Sequence, residues 1–189
     1  MNLYRHIAIC ILLTAIFISQ YCGLLAQNQP ISLQGQEKKA DSLQLEEKHH
    51  EAIKIYQDIL KNFDHSLTDE HKQRLYLKTG NSLMYSGQEL QAQPWFRQII
   101  NVGSSLISEV LLSDAMTGLG RTYEYTGKSD SAFFWYLKAY QIVYESPDTL
   151  RRAREARNIA QLLRVLGRCA EAKNYCRQAV DLIPGIGDF

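Results

Sequence analysis

Ala52, Ala92, Ala132 and Ala172 fall at a constant spacing of 40 residues. Four positions after each stands a bulky or core-type residue: Tyr56, Phe96, Tyr136 or Cys176. Three positions further on come Ile59, Ile99, Ala139 and Ala179, and Gly87, Gly127 and Gly167 precede the last three alanines by five. A fixed period in this range demands stacked supersecondary units, each burying its apolar face against the next. Such a chain is a scaffold, and the question becomes what its surfaces bind.

The third unit shows the plan. Leu111, Leu112, Ala115, Met116, Leu119, Gly120 and Tyr123 recur at three- and four-residue steps and so share one helical face. Thr126-Gly127-Lys128 stops that helix, glycine being free to turn left-handed. Ser129 or Asp130 is the predicted cap of a second helix, with Ala132, Phe133, Tyr136, Leu137, Ala139 and Tyr140 as its apolar stripe. Ser146-Pro147 closes the unit. The second unit opens at a candidate cap, Thr68, and breaks at Ser86-Gly87-Gln88; the fourth breaks at Leu166-Gly167-Arg168. The first is the most degenerate, breaking near Lys48 without a glycine. Pro94 fits poorly, and predicts either a second helix that starts late or one that is kinked.

The predicted fold is all-α, an α-solenoid of about four antiparallel helix pairs over residues 37–64, 68–103, 106–146 and 148–184. A polar lead-in over 27–36 precedes them and a tail over 185–189 follows. Small residues at Gly80, Gly120 and Ala160 let each first helix approach its second closely. Residues 1–26 read as a secretory signal peptide, with Arg5 and His6 before an apolar run from Ile7 to Ile18 and cleavage after Ala26. An uncleaved anchor over Ile7 to Leu25 is interrupted by Gln20, and a lipidation site at Cys22 follows an unsuitably large Tyr21. The predicted location is therefore periplasmic, with membrane anchoring the poorer alternative. Cys10 and Cys22 leave with the signal, while Cys169 and Cys176 remain. Seven helical residues hold that pair about 10 Å apart, too far for a disulfide. They read as small core residues.

The run Leu119-Gly120-x-x-Tyr123, then Gly127, Ala132, Tyr136, Ala139 and Pro147, resembles the tetratricopeptide repeat. Gly80, Leu83, Gly87, Ala92, Phe96 and Ile99 repeat the match in the second unit. Ala160, Leu163, Gly167, Ala172, Cys176, Ala179 and Pro184 do so in the fourth. The family's usual period is about 34 residues. The longer step here resembles the variants of kinesin light chain and of bacterial regulators. The resemblance implies a non-catalytic module that binds a protein or peptide in a groove lined by the first helix of each pair.

On that register the candidate groove residues are Asn81 and Tyr85, then Arg121 and Tyr125, then Arg154, Arg157, Gln161 and Arg164. Arginines beside tyrosines suit an acidic or carboxylate-terminated peptide; a solvated helix face explains the same pattern equally well. The family's carboxylate clamp does not carry over, since Leu77 and Gly118 stand where it needs polar side chains. His49, His50, His65 and His71 lack metal-ligand spacing and read as solvated; no metal, cofactor or catalytic group is predicted. The formal net charge of +1 argues against nucleic acid as partner. The last unit carries no further capping helix, which leaves its apolar face to a partner, a second copy or a further domain. An alternative role is the sensory or interaction segment of a bacterial membrane-associated signalling system, truncated or acting through a separate output protein.

Overall fold

The computed structural model describes residues 32–183. The predicted signal peptide, the lead-in up to residue 31, Pro184 and the predicted tail lie outside the described residues. The chain divides into a leading unit through Gly35 and a body from Gln36 onward. The described part of the leading unit is one helical turn, in which the Gly35 N–H donates to Ser32 Oγ at 3.2 Å.

The described residues are helical, without strands. They form α1 (Leu33–Leu45), α2 (His49–Asn62), α3 (Asp69–Tyr85), α4 (Glu89–Val102), α5 (Glu109–Tyr125), α6 (Ser129–Val143), α7 (Thr149–Val165) and α8 (Cys169–Asp181). A short 3-10 turn, Asp64–Ser66, follows α2. From α3 on, each helix packs against the next, and α3 also reaches α5. That is the all-α solenoid the ladder requires.

One turn joins the two helices of every pair. The Lys48, Gln88, Lys128 and Arg168 N–H groups donate back to the carbonyls of Leu43, Leu83, Tyr123 and Leu163. The residue before each donor bonds the carbonyl three positions back, which together is the Schellman closure of a helix. The left-handed position is Gly87, Gly127 and Gly167 at φ 76, 73 and 72°. In the first pair it is Glu47 at φ 61°. The missing glycine therefore does not change the turn, although a side chain there costs about 1–2 kcal/mol.

This turn corrects the predicted cap of α6. Ser129 is already helical, and the N-cap is Lys128, which makes no side-chain cap bond. The same holds for Lys48, Gln88 and Arg168, because the last residue of the turn doubles as the cap of the next helix. The first helices start after longer connections and are capped. Thr68 Oγ1 accepts from the His71 N–H, Ser108 Oγ from Leu111, and an Asp148 oxygen from Arg151.

Pro94 lies inside α4, which starts at Glu89, so the helix does not begin late. The bond that proline denies belongs to the Leu90 carbonyl, four residues back. Leu90 and Pro94 are both exposed.

The small residues sit where helices cross. Ala52, Ala92 and Ala132 are fully buried. A Cβ on Gly80 would stand 2.8 Å from the Phe96 ring, and one on Gly120 2.7 Å from Tyr136. Gly118 shows the reason it is not polar: a Cβ there would meet Phe96 at 2.5 Å. Phe96 thus fills the space between α3 and α5 at two points where only hydrogen fits. The core assignment fails at the fourth rung, where Cys169 and Cys176 are both exposed. Tyr56, Phe96 and Tyr136 are buried because a following first helix covers them; among the described residues none covers Cys176.

Candidate functional site

The outward faces of α3, α5 and α7 line two adjoining clefts. The first, of about 240 Å³, brings together Asn81, Tyr85, Arg121 and Arg154 over a floor of Leu77, Thr117 and Gly118, with Asp114 at its wall. The second, of about 220 Å³, gathers Arg121, Tyr125, Arg157 and Gln161 with Glu124, Tyr136 and Asn158. Seven of the eight sequence-predicted groove residues therefore converge. Arg164 does not; it is exposed on the last turn of α7 and lines neither cleft.

The cations of the groove are not alike. Arg154 donates to Asp114 Oδ1 at 2.6 Å and to Glu155 Oε1 at 2.7 Å, and Arg151 shares the same Asp114 oxygen. Burial works against the Arg154 charge, but the bonds to Glu155 and Asp114 outweigh it and raise its pKa above the ordinary value. That guanidinium is committed to holding α7 on α5. Arg121 donates to Tyr85 Oη at 2.8 Å, bridging α5 to α3 and keeping its charge at the cleft mouth. Arg157 is exposed and has no ion-pair partner among the described residues. The groove offers two usable guanidinium groups, Arg121 and Arg157, flanked by the half-exposed rings of Tyr85 and Tyr125.

Beneath them lies a polar seam that sequence reading missed. Glu155 is fully buried and accepts from Thr117 Oγ1 at 2.7 Å, from Asn158 at 3.2 Å and from Arg154. An acid between Ala153 and Ala156 on the apolar stripe is the sequence signal that could have marked it. Tyr136 Oη donates to Glu124 at 2.5 Å, and burial followed by this carboxylate pushes the phenol well above its usual range. These contacts fix the walls of the clefts.

Two of the four histidines, His49 and His71, depart from the solvated reading. His71 Nε2 lies 2.8 Å from Glu37, which also accepts from Lys78 at 2.8 Å. His49 stacks on Tyr85 with ring centroids 5.8 Å apart. His50 and His65 are exposed. No group of metal-ligating side chains occurs among the described residues. Burial raises the Glu37 pKa, but hydrogen bonds from Lys78 and His71 overcome it and hold the carboxyl below the ordinary value. Lys78 also reaches Asp41 at 2.8 Å and sits over the Tyr56 ring, so this cluster ties α3 to the first pair.

Residues 113–142 match the family model described as "Tetratricopeptide repeat". Among solved structures, the chain is similar to nearly identical TPR-like repeats from a kinesin light chain-like protein of Podosopora anserina. That alignment has TM-score 0.67 and 17% identity, covering 82% of this chain and 76% of the other. It is also similar to MamA, with TM-score 0.61 and 18% identity over 86% of this chain and 84% of that one. No curated protein matches the sequence. These likenesses establish the fold.

Proposed function

We propose that this chain, an all-α solenoid in which residues 113–142 match the tetratricopeptide repeat, is an exported, non-catalytic scaffold whose groove captures an acidic peptide segment of a partner protein. The observation that carries this reading is the pairing of Arg121 and the unpartnered Arg157 across one cleft of about 220 Å³. Two guanidinium groups facing one space suit a carboxylate with bidentate contacts, while the rings of Tyr85 and Tyr125 offer apolar area at its edge. The other polar groups of the groove serve its walls, Thr117 through Glu155 and Tyr136 through Glu124. Export rests on the short charged start, the apolar run Ile7 to Ile18 and the Leu24-Leu25-Ala26 ending.

The test is capture from periplasmic extract by the mature chain and by its Arg121→Glu, Arg157→Glu double variant. The wild-type chain is expected to retain a partner that the variant loses by at least about tenfold, since each lost charged contact is worth roughly 1–3 kcal/mol. Unchanged capture by a folded variant rejects the basic groove. Secretion of a reporter fused to residues 1–26 tests the export half separately.

A further inference from the structure

The two clefts are lined from α3, α5, α6 and α7, and the first helix pair reaches them through a ring. His49, the opening residue of α2, is partly buried and stacks on Tyr85 of α3, with centroids 5.8 Å apart and planes 27° from parallel. Tyr85 Oη accepts from the Arg121 guanidinium at 2.8 Å, and Arg121 lines both clefts. Three helices are thus joined in series, from His49 through Tyr85 to Arg121. His49 Nδ1 is buried without a hydrogen-bond partner among the described residues, so what the ring gives Tyr85 is its face.

The repeat supplies a comparison. Tyr125 stands 40 residues after Tyr85 and is similarly exposed, 57% against 52%. The residue 40 after His49 is Glu89, which brings no ring, and the one 40 after Arg121 is Gln161. Among the described residues Tyr125 has neither a ring stack nor a hydroxyl hydrogen bond. Two tyrosines at one place in the repeat are therefore held differently. The one held at both its face and its hydroxyl is the one that carries an arginine of the groove.

A half-exposed tyrosine and a long guanidinium side chain each lose rotamer freedom when a ligand fixes them. Here His49 restricts Tyr85 beforehand, and Tyr85 restricts Arg121. The bond to the phenol uses one of five guanidinium N–H donors and leaves the others for a carboxylate. We propose that His49 is a positioning residue of the groove: by stacking on Tyr85 it presents the Arg121 guanidinium to an acidic ligand. The proposal rests on the acidic-groove reading above and makes the first pair part of that site.

The test uses the whole chain and a labelled, terminally blocked hexaglutamate peptide, with binding read by fluorescence anisotropy. His49→Ala should weaken binding about three- to tenfold, as expected when one or two side chains are no longer ordered in advance. His49→Phe, which keeps a ring, should restore it to within about twofold. Tyr85→Phe should weaken it as much as His49→Ala does, and the double variant should be no weaker than either, because both changes cut one relay. Glu37→Gln loosens the first pair on α3 without touching the stack, and should leave binding within about twofold of wild type. In the ligand-free chain the Arg121 Nη–H signals by NMR should be resolved in wild type and His49→Phe, and averaged in His49→Ala and Tyr85→Phe. Arg121 signals unmoved by His49→Ala, no rescue by His49→Phe, or additive losses in the double variant overturn the proposal. So does a Glu37→Gln loss equal to that of His49→Ala, since the histidine would then act only by holding the first pair in place. A chain that binds no hexaglutamate but shows the signal change rejects the acidic-groove reading while supporting the relay, which tells the two failures apart.

Discussion

The first and last helix pairs meet solvent in opposite ways. The outer side of α1 is lined by exposed Lys38, Lys39, Ser42 and Glu46, while its inner side is tied to α3 by Glu37, Asp41 and Lys78. The last pair keeps its polar contacts inside, with Glu155 fully buried, and turns Leu150 and Val180 outward at 67% and 39% exposure. A stacked array needs its terminal faces polar, and among the described residues α1 comes nearer to that, although Leu45 in its last turn is 87% exposed. The lesson is directional. Ring size along the ladder follows coverage, with Tyr56, Phe96 and Tyr136 under a neighbouring helix and Cys176 under none among the described residues.

The sharpest way to break this contrast is to truncate the rungs. Phe96→Ala removes a ring enclosed by α3, α4 and α5 and should cost about 3–5 kcal/mol. Cys176→Ala should change stability by less than about 0.5 kcal/mol, as an exposed position does. Chemical denaturation of both variants measures the difference, and comparable losses would mean that the last rung is packed like the others. The turns give a smaller test. Gly127→Ala puts a side chain in the left-handed region and should cost about 1–2 kcal/mol, whereas Glu47→Gly should gain up to about 1 kcal/mol. A destabilising Glu47→Gly would show that the glutamate earns its place by a contact elsewhere.

Acidification should give the smallest of these effects, and at the first end it should act through the partly buried Glu37. Glu37 has its pKa lowered in the folded chain, so its contribution is present above the ordinary carboxylate range and is lost as pH falls through the lowered value. Amide protection in α1 should therefore decline below about pH 4.5. Glu37→Gln should abolish that decline without touching α7. A decline that survives the substitution assigns it to another group.

The ladder was legible because close helix crossing leaves no choice of residue: Gly80, Gly120 and the alanines cannot be larger. Thr68 was legible as a cap because it follows a loop. The cap of α6 was not, since Lys128 holds its place by the geometry of the turn and no side chain advertises it. Glu47 was hidden because residue preference and repeat spacing disagree there, and spacing wins. The groove's members could be placed by register, but which arginine is spent internally depends on Asp114 and Glu155, contacts between helices that no single-helix pattern contains. Cys176 misled for a related reason: its position in the ladder says core, and only its missing neighbour says surface.

Phe96 carries a last consequence. Its ring is gripped by Gly80 from its own pair and by Gly118 from the next, so the second and third pairs share one piece of core. Linear arrays usually open from their ends, one pair at a time, with each seam setting the cost of the next step. In this chain the unzipping stops at that ring. The central two pairs should melt together as one block, after the outer pairs have already let go.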